Sequence, residues 1–175
     1  MSLSQAQEII PGAWQGSLKA SNNPEFLLQR RFSLIMRVHN PRTALNQDFR
    51  RPLAVRRVLQ SLGTREYNIA LFDSPTSALS DYFDTVVELV DRYRAIGGGV
   101  LIYCDAGISR STTLTAAYLL TLRQLEGWHY SSARDAVEDV LDDIRTVRPG
   151  IRPNAGFYQQ LVTYADRLGL IILTA

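Results

Sequence analysis

The twelve residues from Val100 to Ser111 restrict the fold of this chain more than any other stretch. Val100-Leu101-Ile102-Tyr103 is unbroken apolar and aromatic sequence and reads as a short buried strand. Cys104, the only cysteine, follows, and then the loop Asp105-Ala106-Gly107-Ile108-Ser109. Arg110 opens a run in which Leu114, Ala117, Tyr118, Leu122 and Leu125 recur at spacings of three and four, the period of an amphipathic helix. A five-residue turn from a strand into a helix N-terminus can aim successive backbone N–H groups inward and form an anion-binding nest. Arg110 can close that ring with a planar fork that grips two oxygens at once. Gly107 lets the loop turn tightly without a side chain in the way. The same positive surroundings favour a thiolate on Cys104. Strand, loop and helix together describe an anion cradle with a nucleophile at its base.

Composition sets how specific this pattern is. With eighteen arginines in 175 residues, an arginine six positions after a given cysteine arises about one time in ten by chance, and a lone cysteine is often an inert core residue. Gly107 in mid-loop, the Ser111 hydroxyl, the strand before and the helix after lift the pattern well above that background. A nucleophile that displaces an alkoxide or phenoxide also needs an acid, because such an oxyanion leaves poorly. Asp73 is the candidate: it ends the strand Tyr67–Phe72, opens the turn-rich stretch Asp73-Ser-Pro-Thr-Ser, and stands thirty-one residues ahead of Cys104. Asp81 is its rival, expected to lie already within a helix.

Cys104-Asp-Ala-Gly-Ile-Ser-Arg110-Ser111 resembles the signature loop of the dual-specificity protein phosphatases, within the cysteine-based tyrosine phosphatase superfamily. Leu79-Ser-Asp-Tyr82-Phe83 is similar to the family's L-x-x-Y-F, which follows its general acid. Pro153-Asn154-Ala-Gly-Phe157-Tyr-Gln-Gln160-Leu161 is similar to its P-N-x-x-F-x-x-Q-L segment. Ile9-Ile-Pro11-Gly-Ala-Trp14-Gln-Gly16 resembles its opening I-x-P-x-L-Y-L-G. The likeness runs from about Ile9 to Leu168 and implies a single catalytic domain over residues 1–175 acting without a metal or other cofactor. It implies a phosphocysteine intermediate on Cys104. Arg110 and the backbone N–H groups of residues 105–110 would hold the phosphate, Asp73 would serve as acid and then base, and the Ser111 hydroxyl would support the sulfur as leaving group. The implied substrates are phosphotyrosine and phosphoserine or phosphothreonine of proteins, taken in a shallow site. One residue departs from the pattern: Tyr103 stands where the family has histidine. The alternatives are a non-protein substrate (phosphoinositide, RNA 5′-triphosphate or phosphoglucan) and a catalytically weak phosphate-binding adaptor. The acid Asp105 in the loop argues against highly anionic substrates, and the presence of Cys104, Arg110 and Asp73 argues against the adaptor.

Elsewhere the chain alternates strand-like and helix-like segments. Leu34–Val38 and Tyr67–Phe72 read as strands, and Asn23-Pro24 starts a brief helix. Further helices are expected after Pro52, from about Ser80 to the Gly97-Gly98-Gly99 stop, after the capping box Ser132-x-x-Asp135, and from Pro153. This alternation implies an α/β fold, a mostly parallel central sheet flanked by helices on both sides, with ligands at the carboxyl ends of strands. Residues 40–66 carry six arginines against two acids. They read as a solvated helix face or as a docking surface for an acidic or phosphorylated partner. A net charge of +2 gives no reason to expect nucleic-acid or membrane binding. One cysteine cannot form an internal disulfide, and a working thiolate suits a reducing compartment, so a cytoplasmic location, with the nucleus as alternative, is expected. The segment Leu168–Leu173 is expected to dock on the body of the fold.

Overall fold

In the computed structural model, which describes residues 6–42 and 51–172, five strands form one sheet. They are β1 (Gln7–Ile10), β2 (Ala13–Ser17), β3 (Phe32–His39), β4 (Arg65–Ala70) and β5 (Gly99–Cys104), in the spatial order β1-β2-β5-β3-β4. β1 and β2 are antiparallel across the Pro11-Gly12 turn, whose glycine sits at φ +81°. The β2–β5, β5–β3 and β3–β4 pairings are parallel. Parallel neighbours need long crossovers, and seven α-helices accompany the strands among the described residues: α1 (Leu18–Ser21), α2 (Pro24–Arg30), α3 (Leu53–Leu62), α4 (Phe83–Ala95), α5 (Arg110–Leu125), α6 (Ala133–Val147) and α7 (Ala155–Arg167).

β5 lies in the middle of the sheet and is buried on both faces, which is why it reads as uninterrupted apolar sequence. Its side chains alternate between two cores. Val100, Ile102 and Cys104 join Met36, Phe83, Val86, Leu114, Tyr118, Val137, Ile144 and Phe157 in the larger one. Leu101 and Tyr103 join Leu27, Phe32, Ile35, Val55 and Leu59 in the smaller one on the opposite face. Each such large apolar side chain contributes about 1.5–3 kcal/mol when fully buried. The expected mostly parallel sheet with helices on both sides is therefore what the residues build.

Several boundaries differ from the sequence reading, each for a local reason. β4 covers Arg65–Ala70 and pairs only with β3, so as an edge strand it lacks the two-sided burial that marks β5. Leu71 and Phe72 fall beyond its end, and Phe72 is exposed. The expected helix near Ser80 begins as a 3-10 turn, Leu79–Tyr82, before α4. The helix after Pro52 is α3, closed by Gly63 in the left-handed region. Ser132 Oγ accepts from Asp135 N at 3.1 Å, as a capping residue should. α6 buries Val137, Val140 and Ile144 but leaves Val147 exposed in its last turn. α7 starts later than expected: Asn154, not Pro153, precedes its first turn and accepts from Phe157 N at 2.9 Å. At the C-terminal end Leu170 is buried and Ile171 bridges to Tyr130, so that segment docks on the body. Leu173, Asp48 and Arg50 lie outside the described residues. Among those described, no helix is long and apolar enough to cross a membrane.

Candidate active site

β5 delivers Cys104 to the carboxyl edge of the sheet, α5 begins at Arg110, and the loop between them is fixed by its carbonyls. Asp105 O accepts from Leu18 N at 3.2 Å and Ile108 O from Arg152 N at 2.9 Å. Gly107 O accepts from Arg148 Nε at 2.9 Å and Gln15 Nε2 at 3.2 Å, and Arg148 Nη2 reaches Ala106 O at 3.4 Å. Carbonyls held outward in this way turn the opposite side of each peptide, its N–H, toward the concave face of the loop. Gly107 adopts φ +69°, a conformation that favours glycine. Thr112 and Thr113 at the start of α5 donate their hydroxyls to Ile108 O and Ser109 O, tying the loop to the helix.

The predicted residues meet here. Cys104 is buried, with Sγ 3.2 Å from Ser111 Oγ. The Arg110 side chain is almost fully enclosed. Its Nη1 donates to Leu71 O at 3.2 Å and its Nη2 to Asp105 Oδ2 at 2.8 Å. Its Nε is buried without a hydrogen-bond partner, 3.7 Å from Asp73 Oδ2. Asp73 leans over the loop from the other side of a groove, and its Oδ1 accepts from Ser109 Oγ and Asn154 Nδ2, each at 2.8 Å. Asn40, Arg42, Phe72, Thr76 and Ser77 line the same groove with Asp73 and Arg110. Asp81 lies elsewhere, in a separate cleft with Pro75, Gln160 and Tyr164. The acid that sits beside the arginine is thus Asp73.

Two contributors were not apparent in the sequence. Arg148 is fully buried under the loop and also donates to Gln7 Oε1. Burial pushes its guanidinium down from the ordinary value, and the charge of Cys104 opposes that shift. The Arg148 guanidinium therefore lies within electrostatic reach of Cys104. Its signal was available: Arg148 continues the apolar stripe Val137, Val140, Leu141 and Ile144 at the next helical spacing, where a charge is out of place. Gln15 left no comparable signal; its amide joins Gly107 O to Thr112 Oγ1 from the middle of β2. Tyr103 points away from the loop, because successive strand residues face opposite sides. Its hydroxyl accepts from Arg51 Nη2 at 2.9 Å, and Arg51 also pairs with Glu66.

A family model described as the dual specificity phosphatase catalytic domain matches residues 14–167. Human dual specificity protein phosphatase 22 is 30% identical over 154 residues, which cover 88% of this chain and 70% of that protein. Mouse dual specificity protein phosphatase 15 is also 30% identical over 154 residues, 88% of this chain but 55% of that protein. The chain spans about half the length of that relative. The crystal structure of human tyrosine phosphatase-like serine/threonine/tyrosine-interacting protein matches with a TM-score of 0.74 at 27% identity, covering 94% of this chain and 97% of the other.

Proposed function

The chain belongs to the dual specificity phosphatase family, and on that premise we propose that it hydrolyses phosphate monoesters of tyrosine and of serine or threonine in proteins through a phosphocysteine. The Cys104 thiolate attacks phosphorus and forms the S–P bond as the ester P–O bond breaks. Asp73 gives its proton to the departing oxygen. Asp73, now a carboxylate, takes a proton from water as the water attacks the phosphocysteine, and the sulfur leaves as thiolate with the Ser111 hydroxyl beside it. Arg110 and the loop N–H groups of residues 105–110 stabilise the charge on the equatorial oxygens throughout.

The observation that carries this reading is the convergence of three separated segments. Asp73, the loop from Cys104 to Ser111, and Asn154 are joined by direct hydrogen bonds. The arginine-rich 40–66 region enters the reading as a docking face for an acidic or phosphorylated partner, since Arg51, Arg56 and Arg65 line one cleft beside β4. Phosphate release from a phosphotyrosine peptide, a phosphothreonine peptide and a phosphoinositide, measured in parallel, tests the reading. Turnover of both peptides, falling at least ~1,000-fold in Cys104→Ser and about 100-fold in Asp73→Asn, is expected. Turnover of the lipid alone would move the substrate class. Peptide binding without turnover would make the protein an adaptor.

A further inference from the structure

We propose that Asp105 is a latch on Arg110, which a phosphate group must displace to bind, and that it lowers the affinity of the site for phosphate alone. The inference rests on the phosphatase reading of the loop and adds to it. A tetrahedral oxyanion binds an arginine most firmly through two parallel N–H donors on one edge of the guanidinium. On Arg110, Nη1 is spent on the Leu71 carbonyl, which leaves the edge formed by Nε and Nη2. Nε on that edge is buried without a hydrogen-bond partner. Nη2 is held at 2.8 Å by the carboxylate of Asp105, the first residue of the loop itself.

The two partners differ in freedom. The Arg110 side chain is 6% exposed and cannot turn to solvent, whereas that of Asp105 is 42% exposed. Asp105 therefore moves and Arg110 stays. It has room to withdraw: it borders an open cleft lined also by Leu18, Lys19, Asn22, Asn23 and Pro24. Lys19, the only lysine in the chain, supplies a cation on that side.

A latch of this kind subtracts the same free energy from every ligand that uses Arg110, since each must break the same ion pair first. Free phosphate has no other contacts to offset that loss. A phosphopeptide does, along the groove that contains Arg42, Phe72 and Thr76. The ratio of the two affinities is unchanged, but both fall together, so inorganic phosphate is kept from holding the loop while a phosphopeptide, with its added contacts, still binds.

The experiment is calorimetric titration of wild type, Asp105→Asn and Asp105→Ala with sodium tungstate, a tetrahedral dianion standing in for phosphate, at constant ionic strength. Tungstate binding about tenfold tighter in both variants is the expected result. An equal or weaker affinity in a folded variant, while wild type binds tungstate, overturns the latch and leaves the phosphatase reading intact. If neither wild type nor the variants bind tungstate, the reading of the loop as an oxyanion site falls, and the latch with it. Loss of a structural contact does not produce a gain in affinity, so the direction of the change separates a latch from a merely structural residue.

Discussion

Gly107 and Arg148 show how narrowly the loop is specified at single positions. Gly107 sits at φ +69°, and a Cβ placed there would collide with the Arg148 guanidinium and the Gly16 carbonyl oxygen. Neither neighbour can retreat, because Arg148 is buried and Gly16 belongs to β2. Gly107→Ala is expected to lower stability by about 1–3 kcal/mol and to abolish tungstate binding. Urea unfolding and the same titration would check both; a variant that retains wild-type oxyanion affinity would show that the loop tolerates another path. Arg148→Met keeps most of the volume but removes a cation near Cys104 and the donors to Gly107 O and Ala106 O. Turnover should fall about 10- to 100-fold, and iodoacetamide should alkylate Cys104 several-fold more slowly at pH 7. An unchanged alkylation rate would mean that Arg148 only packs beneath the loop. The contrast with Cys104 and Arg110 explains what a sequence can disclose at this scale. Those two lie six positions apart, within one strand-loop-helix unit whose geometry follows from local pattern. Arg148 meets Gly107 across forty-one positions, and that meeting exists only once α6 has packed.

Helix starts carry the next level of organisation, and two of them separate stability from function. Ser132 caps α6 by accepting from Asp135 N through its Oγ, whereas Asn154 caps α7 through its Oδ1 and holds Asp73 through its Nδ2. Ser132→Ala and Asn154→Ala should each lose about 1 kcal/mol of stability. Only Asn154→Ala should lower turnover, by roughly tenfold, because Asp73 then keeps one fixed donor, Ser109 Oγ, instead of two. Thermal unfolding together with peptide turnover would check the pair; equal turnover in both variants would remove Asn154 from the site. The first cap was legible because Ser-x-x-Asp is a local signature. The second was less so, since Pro153 resembles a helix opening and the partner of the Asn154 amide lies eighty-one residues away. Central strands were legible for a related reason. Burial on both faces gives β5 an apolar run, while β4 at the sheet edge mixes Arg65, Glu66 and Asn68 with Tyr67 and Ile69, so its limits shift by two residues. Tyr103 is likewise an element-level matter. Strand alternation sends its side chain into the smaller core, on the face opposite Cys104, where Arg51 ties it to Glu66.

At the scale of the whole molecule, the balance of basic residues makes the alkaline limit of the fold unusually informative. Of its nineteen basic residues only one is lysine, and there are eight tyrosines. Arginine stays charged above pH 12, so between pH 10 and 12 the side chains that titrate are mainly tyrosines. Four of them hold their protons more tightly than free tyrosine. Tyr130 is pushed up to about 12 by burial and by its bond to the Asp139 carboxylate. Burial also raises Tyr118, Tyr158 and Tyr164. The sign follows from linkage. Below pH 10 a tyrosine is protonated in both folded and unfolded chains, and its contribution is fully present. Above pH 10 the unfolded chain releases the proton first, so stability falls as pH rises toward the folded value, about 12 for Tyr130. Urea midpoints should therefore drop steadily from pH 10 upward. The phenolate absorbance of the folded protein at pH 11 should lag behind that of the unfolded chain, and Tyr130→Phe should flatten the fall. A midpoint that stays level to pH 11 would contradict the burial assigned to these four rings. They all lie on α5, on α7 or in the turn between α5 and α6, so the same result would question the packing of α4 to α7 against the sheet.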